Sequence, residues 1–358
     1  KISTIKTKNS IKIDAELNEA DWENVPVAKD FFMMDPDNGK PEPNERKTEV
    51  KVLYDDDAIY IGAILYDNEP HTILKEITER DKDGTSDYFG AFINGFNDGQ
   101  QSYCFYVGPT NCQSDCIQGA QDGEDYSWDS IWESETKLTD KGWVVEMKIP
   151  YAALRFSGEE KQTWGINFFR EVRKLRHSFS WNKVDNKAGT LTQQSGILEG
   201  IENINTPTRL FLIPYSSYYL NSFGKEKAFG TIKGGLDLKY GLTDAFTLDM
   251  VLIPDFGQTK FDDKILNLGP FEQVFNENRP FFTEGTDLFN KGGLFYSRRI
   301  GQRASIYPET AENEEVLEYP NTIDLVNAVK ISGRTKDGLG IGFLNTVTKK
   351  TDVVIRDV

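Results

Sequence analysis

Along most of the chain, apolar and polar residues alternate with a period of two in short runs separated by turn residues. That period puts successive side chains on opposite faces of a strand, so the pattern predicts β-structure. TEVKVLYDDDAIYIGAILYD (48–67) reads as a hairpin, with Val50, Val52 and Tyr54 alternating and an acidic turn at Asp55–Asp57. SDYFGAFING and QQSYCFYVG, joined by FNDG, read as a second hairpin. SIWESETKLTDKGWVVEMKIP reads as a third, turned by TDKG, and TWGINFFREVRK as a further strand. Helix is scarce. LNEADW reads as a short helix with Asn18 as its N-cap, and YAALRF after Pro150 as a single helical turn. Short strands about every ten residues predict a β-sandwich over roughly residues 1–200.

The pattern changes near INTPTRLFLIPYSSYYL (204–220), after which strands lengthen and alternate more strictly. In GGLDLKYGLTDAFTLDMVLIPDFG (234–257), Leu236, Leu238 and Tyr240 share one face while Asp237 and Lys239 share the other. Beyond the turn, Phe246, Leu248, Met250 and Leu252 alternate with Thr247, Asp249 and Val251. LVNAVKISGRTKDGLGIGFLNTV (325–347) repeats the design around RTKDG. One greasy and one wet face suit a barrel wall between lipid and an aqueous lumen. The same alternation also suits a soluble sheet with one exposed face, and periodicity does not choose between them. The segment 258–292 lacks alternation and reads as a short helix plus loop. Two domains are therefore expected, 1–203 and 204–358.

Composition agrees with a β-rich chain. Of 358 residues only 38% are hydrophobic but 12% are aromatic, and 30 glycines outnumber 14 prolines. The net charge of −16 argues against nucleic acid as a partner, since phosphates need clustered Lys and Arg. The one basic cluster, Arg170, Arg173, Lys174 and Arg176, reads as a polar strand end or as a face for an anionic glycan. No apolar run is long enough for a transmembrane helix, which leaves membrane barrels untouched. Cys104, Cys112 and Cys116 lie together, far from His71 and His177, so a Cys/His zinc site has little support. A single disulfide between two of them, or three buried thiols, both remain open.

IKIDAELNEADWENV, RDKDGTSDYFGAFINGFNDGQQSYCFYV, SWDSIWESETKLTDKGWVVEMKIPYAALRF and WGINFFREVRK together resemble the carbohydrate-binding module family 9-like domain, over about residues 8–200. LDLKYGLTDAFTLDMVLIPDFGQ, NENRPFFTEGTDLF and LFYSRRIG resemble the uncharacterised domain that follows such modules in exported proteins of Gram-negative bacteria, a domain similar to an outer-membrane β-barrel. The resemblance implies a mainly β chain: an immunoglobulin-like β-sandwich followed by antiparallel hairpins of an outer-membrane barrel. It also implies a cell-envelope location, a glycan as ligand, and outer-membrane lipid and other envelope proteins as partners. Strand pairing is unfinished at Val358, so a longer chain is expected to complete the barrel.

Sugars stack their C–H faces on aromatic rings and need hydrogen-bonding groups around them. Trp22, Trp143 and Trp164 open or flank regular elements and read as core anchors. Trp128, Trp181 and Tyr126 sit near polar loops and are the candidate sugar platform, against the alternative that they too are packing residues. Calcium needs several converging oxygens, and RDKDGTSD offers Asp81, Asp83 and Asp87, with Asn97 and Asp98 in the next turn. The glycine at loop position 4 and Phe92 at position 12 exclude an EF-hand, and solvated turn carboxylates are the plainer account. A glycan-processing hydrolase would need two carboxyls held across the scissile bond; Glu133, Glu135 and Glu146 are the nearest candidates, and cross-strand pairing to Lys137 or Lys148 explains them as well. A third possibility is a structural envelope subunit whose sandwich binds protein.

Overall fold

The computed structural model describes residues 1–82, 84–119, 123–126, 128–205, 209–221, 229–243, 246–254, 277, 279–283, 288–289, 295–302, 307–320, 323–334 and 339–357. The chain divides into two compact units, Lys1–Pro207 and Thr208–Val358. It is mainly β, with mostly antiparallel sheets.

The first unit packs two sheets against each other. The front sheet runs in the order Ile2–Ser3, Gly196–Glu202, Lys161–Val172, Tyr88–Asn94, Gln101–Val107, Gln113–Gly119, Gly123–Asp125, with His177–Ser180 and Phe32–Asp35 attached beside Lys161–Val172. The back sheet runs Glu133–Thr139, Gly142–Pro150, Ala58–Tyr66, Thr48–Tyr54, Ile5–Lys6, with Val27–Ala28 beside Thr48–Tyr54. All three expected hairpins of this half are present in register. Between the sheets lie Phe89, Phe105, Trp164 and Phe168 from the front and Val50, Ile61, Val145 and Met147 from the back, all fully buried. The chain start joins the sheets. Thr4 donates its amide to Glu199 O at 2.9 Å on one side and its hydroxyl to Val52 O at 2.7 Å on the other.

Two local expectations change. The expected helix at LNEADW is only a 3₁₀ turn, Ala20–Glu23, and Glu19, not Asn18, precedes it without a side-chain cap. Trp22 is fully buried, and anchoring that ring fixes the turn without help from helix propensity. The basic cluster is split, with Arg173 and Arg176 exposed at the strand end and Arg170 turned inward. Arg170 is buried between the sheets, where it donates to the carbonyls of Arg46, Lys47 and Tyr66 at 2.8–3.2 Å, while Lys174 pairs with Glu69.

The front sheet is apolar on both faces, and this positions the site. In Tyr88–Asn94, the alternate residues Phe89, Ala91 and Ile93 enter the core, which turns Tyr88, Gly90 and Phe92 outward. A second cluster forms on that outer face from Phe92, Cys104, Tyr106 and Cys116, covered by Val184 and Leu191. Cys104 and Cys116 are directly opposite each other on neighbouring strands, and all three cysteines are free.

In the second unit a five-stranded antiparallel sheet runs Leu210–Asn221, Phe229–Gly241, Phe246–Leu252, Leu325–Arg334, Gly340–Thr348. Glu314–Glu318 pairs separately with Val354–Asp357. Register places Leu212, Leu238, Met250, Val329 and Asn345 in one row on one face, with Leu210, Tyr240, Leu248, Ile331 and Phe343 in the next. Asp237, Asp249, Val251, Ala328 and Lys330 face the other way. The usual arrangement is inverted here. The apolar face is open, with Leu212 and Phe343 each 55% exposed, while the charged face is covered by the helical turn Pro280–Thr283. Lys330 is buried there, donates to Phe281 O at 3.0 Å and lies 3.5 Å from Asp249. Among the described residues no closed barrel forms. Most of the irregular segment 258–292 lies outside the described residues.

Candidate functional site

Gly90 sets the geometry of the outer face. A Cβ at this position would meet the ring of Tyr106 at 2.6 Å, so the missing side chain lets that ring lie flat across the neighbouring strand. Around it the aromatic side chains interlock. Tyr88 meets Tyr106 edge-on at 5.7 Å and stacks on Phe169 at 5.6 Å, and Phe92 meets Tyr106 edge-on at 5.6 Å. These four rings floor a cavity of about 130 Å³, walled by Tyr126 and Leu191. Phe92 and Tyr106 are buried as its base; Tyr88, Phe169 and Tyr126 are half-buried and keep accessible ring surface.

The polar groups converge on Glu124. Its Oε1 accepts the Tyr106 hydroxyl at 2.6 Å, and its Oε2 accepts the Tyr126 hydroxyl at 2.8 Å. Burial, reinforced by the neighbouring Cys104 and by Glu124, pushes the Tyr106 phenol well above its ordinary value, so it stays a donor. The Ser114 hydroxyl is buried in the same wall, beside the Asp81 carboxyl. At the opposite end Asp87 is buried, accepts the Arg173 amide at 3.0 Å, and has its pKa pushed up to about 6, chiefly by burial. An aromatic floor and a carboxylate held by two phenols can stack one sugar ring and hydrogen-bond its edge.

Of the candidate platform, the structure brings only Tyr126 to this cavity. Trp128 is half-buried on the core side, its ring 5.0 Å from Tyr103 and 5.9 Å from Phe105. Trp181 packs on Phe168 at 5.8 Å and borders a separate open groove with Val27 and Lys29. Trp22, Trp143 and Trp164 are buried core residues. Sequence reading missed Tyr88, Phe92, Tyr106 and Phe169, because a strand apolar on both sides does not mark which side is open. The one available signal was Gly90 between two outward aromatics.

The two described candidate calcium ligands, Asp81 and Asp87, are engaged separately. Asp81 Oδ1 accepts the Asp115 amide at 3.0 Å, Asp87 serves Arg173, and Asp83 lies outside the described residues. Among the described residues no three His, Cys, Asp or Glu side chains are placed to hold a metal ion. The candidate hydrolase carboxylates are likewise committed. Glu133 pairs with Lys148 at 3.1 Å, and Glu146, though opposite Glu135, is fully buried with Oε2 on the amides of Asp14 and Ala15.

Comparison with known proteins gives the following. One solved structure, a carbohydrate binding module family 9 from Caldicellulosiruptor kristjanssonii in complex with cellotriose, is 17% identical, covering 56% of this chain and 94% of that one, with a TM-score of 0.42. The same module in complex with glucose is 17% identical, covering 57% and 100%, with a TM-score of 0.41. No curated protein matches the chain. Residues 206–358 match a domain of unknown function, DUF5916. Residues 13–185, which carry the aromatic floor and Tyr126 but not Leu191, match the model described as carbohydrate family 9 binding domain-like.

Proposed function

We propose that the first unit binds carbohydrate by stacking one sugar ring in the outer-face cavity, and that the second unit holds it at the outer membrane. The observation that carries the first half is the union of accessible Tyr88, Phe169 and Tyr126 rings with Glu124, fixed by two phenol hydrogen bonds, inside the region that matches the carbohydrate family 9 binding domain-like model. We read the cavity as a site for one ring, terminal or branching, stacked on its aromatic floor.

The membrane half is supported by the inverted sheet. A soluble sheet buries its apolar face and wets its charged one; here the charged face is covered and Leu212, Ile341 and Phe343 stand open. A glycan-binding domain on a lipid-embedded sheet would hold saccharide at the cell surface.

The test is a glycan array followed by calorimetry on the hits. Tyr126→Ala and Tyr88→Ala are expected to weaken binding by about tenfold or more, since each removes a stacking face worth on the order of 1–2 kcal/mol. Trp128→Ala serves as the contrast, because its ring faces the core. Binding that survives both tyrosine changes would move the site elsewhere.

A further inference from the structure

Three carboxylates border the cavity, Glu76, Asp87 and Glu124, against one ammonium, Lys82. Their compensation differs. Glu124 accepts from Tyr106, Tyr126 and the Gln118 amide and has no cationic partner among the described residues. Glu76 Oε2 accepts the amide and hydroxyl of Thr85, both at 2.9 Å, and these bonds hold its carboxyl below the ordinary range, hence charged. Only Asp87 has a buried guanidinium, Arg170, acting on it. The rim is therefore a concave wall above an aromatic floor on which two carboxylates, Glu76 and Glu124, stand against the single ammonium of Lys82. Glu76 and Glu124 are exposed, so water and salt screen their field, but two like charges on one concave rim still favour a cation over an anion.

Resting on the reading of this cavity as a sugar site, we propose that it takes a saccharide ring bearing an ammonium group, an amino sugar of the glucosamine kind, in preference to a neutral ring, and rejects uronates. The aromatic faces of Tyr88 and Phe169 would hold the C–H face of the ring, a surface common to all three sugar classes. The ammonium adds charge-assisted donors that Glu124 and Glu76 can accept, and it meets the ring quadrupoles favourably. A uronate brings a third or fourth carboxylate into the same wall and finds only Lys82, which is exposed.

Calorimetry with the full chain tests this, using a glucosamine oligosaccharide, a glucose oligosaccharide and a glucuronate oligosaccharide of matched length, at mildly acid pH where the amine is charged. The amino form is expected to bind about tenfold tighter than the neutral one, with the advantage shrinking as salt is added, and the uronate to give no measurable heat. Glu76→Gln and Glu124→Gln should each lower the ratio of amino to neutral affinity. Glu76 is exposed, so its variant folds whatever becomes of Glu124. Equal affinity for amino and neutral forms, or binding of the uronate as well, overturns the charge selection and leaves the sugar site standing. Failure of all three saccharides to bind a folded chain overturns both.

Discussion

The hydroxyl of Tyr106 reaches Glu124 Oε1 at 2.6 Å and ties the aromatic floor to the short edge strand Gly123–Asp125, two strands away in the sheet. The same carboxylate takes Tyr126 on its other oxygen. One acidic side chain thus fixes both a base ring and a wall ring. Tyr106→Phe keeps the ring over Gly90 and removes one donor. A hydrogen bond to a charged acceptor contributes about 1.5–3 kcal/mol, and exposure of the acceptor, as at Glu124, keeps it at the low end. Urea denaturation of the first unit is expected to show a loss at the lower end of that range, with sugar affinity falling less than for Tyr126→Ala, because the stacking surface survives.

Gly90→Ala tests the floor itself. The new methyl would sit 2.6 Å from two carbons of the Tyr106 ring, so the ring must rotate away and draw its hydroxyl off Glu124. Forced repacking of this kind costs about 1–3 kcal/mol. The expected result is a lowered unfolding midpoint together with loss of saccharide binding, although the substituted residue touches no ligand. Unchanged binding would mean the ring is not held by Gly90.

How much of this was readable from the chain differs between elements. The three hairpins were readable because each carries a two-residue period bounded by a local turn, as at TDKG between Thr139 and Gly142. The platform was not. Trp128 lies in a polar loop, which suggested exposure, but its ring turns back onto Tyr103 and Phe105. Tyr106 lies in QSYCFYV, a run with both faces apolar, and only the pairing of Gln101–Val107 with Tyr88–Asn94 shows that its side is the open one. Face assignment in a doubly apolar strand depends on what packs over it, here Val184 and Leu191 from far along the chain. In the second unit the two-face pattern was readable, but which face is covered depends on Phe281 and Phe282, remote in sequence.

Buried carboxyls give the first unit an unusual pH dependence. Burial pushes Glu42, Glu146 and Glu171 from an ordinary 4.5 up to about 7, and Asp115 from 3.8 to about 7. Between these limits the folded chain keeps protons that the unfolded chain has lost. Stability therefore falls as pH rises from about 4.5 through about 7 and levels off above. Asp21, held low by hydrogen bonds from Thr7 and Asn9, works in the opposite sense, adding stability that is lost only as pH drops below its ordinary 3.8. All six tryptophans belong to the first unit, so their fluorescence follows its melting alone. The midpoint is expected to be higher at pH 5 than at pH 8. Glu146→Gln, which imitates the protonated carboxyl and retains an oxygen for the Asp14 and Ala15 amides, should flatten the curve. A midpoint that rises steadily from pH 5 to pH 8 would show that these groups ionise freely in the fold.

The open apolar face of the second unit makes the membrane reading accessible to experiment. Leu212 and Phe343 are each 55% exposed and lie on the same face of the five-stranded sheet, so changing them disturbs little packing within the unit. In lipid an arginine near the bilayer midplane costs about 2–4 kcal/mol; on a wet sheet surface it costs almost nothing. The chain is expected to float with vesicles of phosphatidylethanolamine and phosphatidylglycerol, and Leu212→Arg with Phe343→Arg to leave it in the soluble fraction with its saccharide binding intact. Lys330→Met changes the covered face instead. It removes the partner of Asp249, whose Oδ1 is already buried without a hydrogen bond, and should lower the stability of the second unit without preventing flotation. If the double arginine variant floats as well as the parent, or if the parent stays monomeric in detergent-free buffer and ignores vesicles, the apolar face does not meet lipid and the outer-membrane half of the proposal falls.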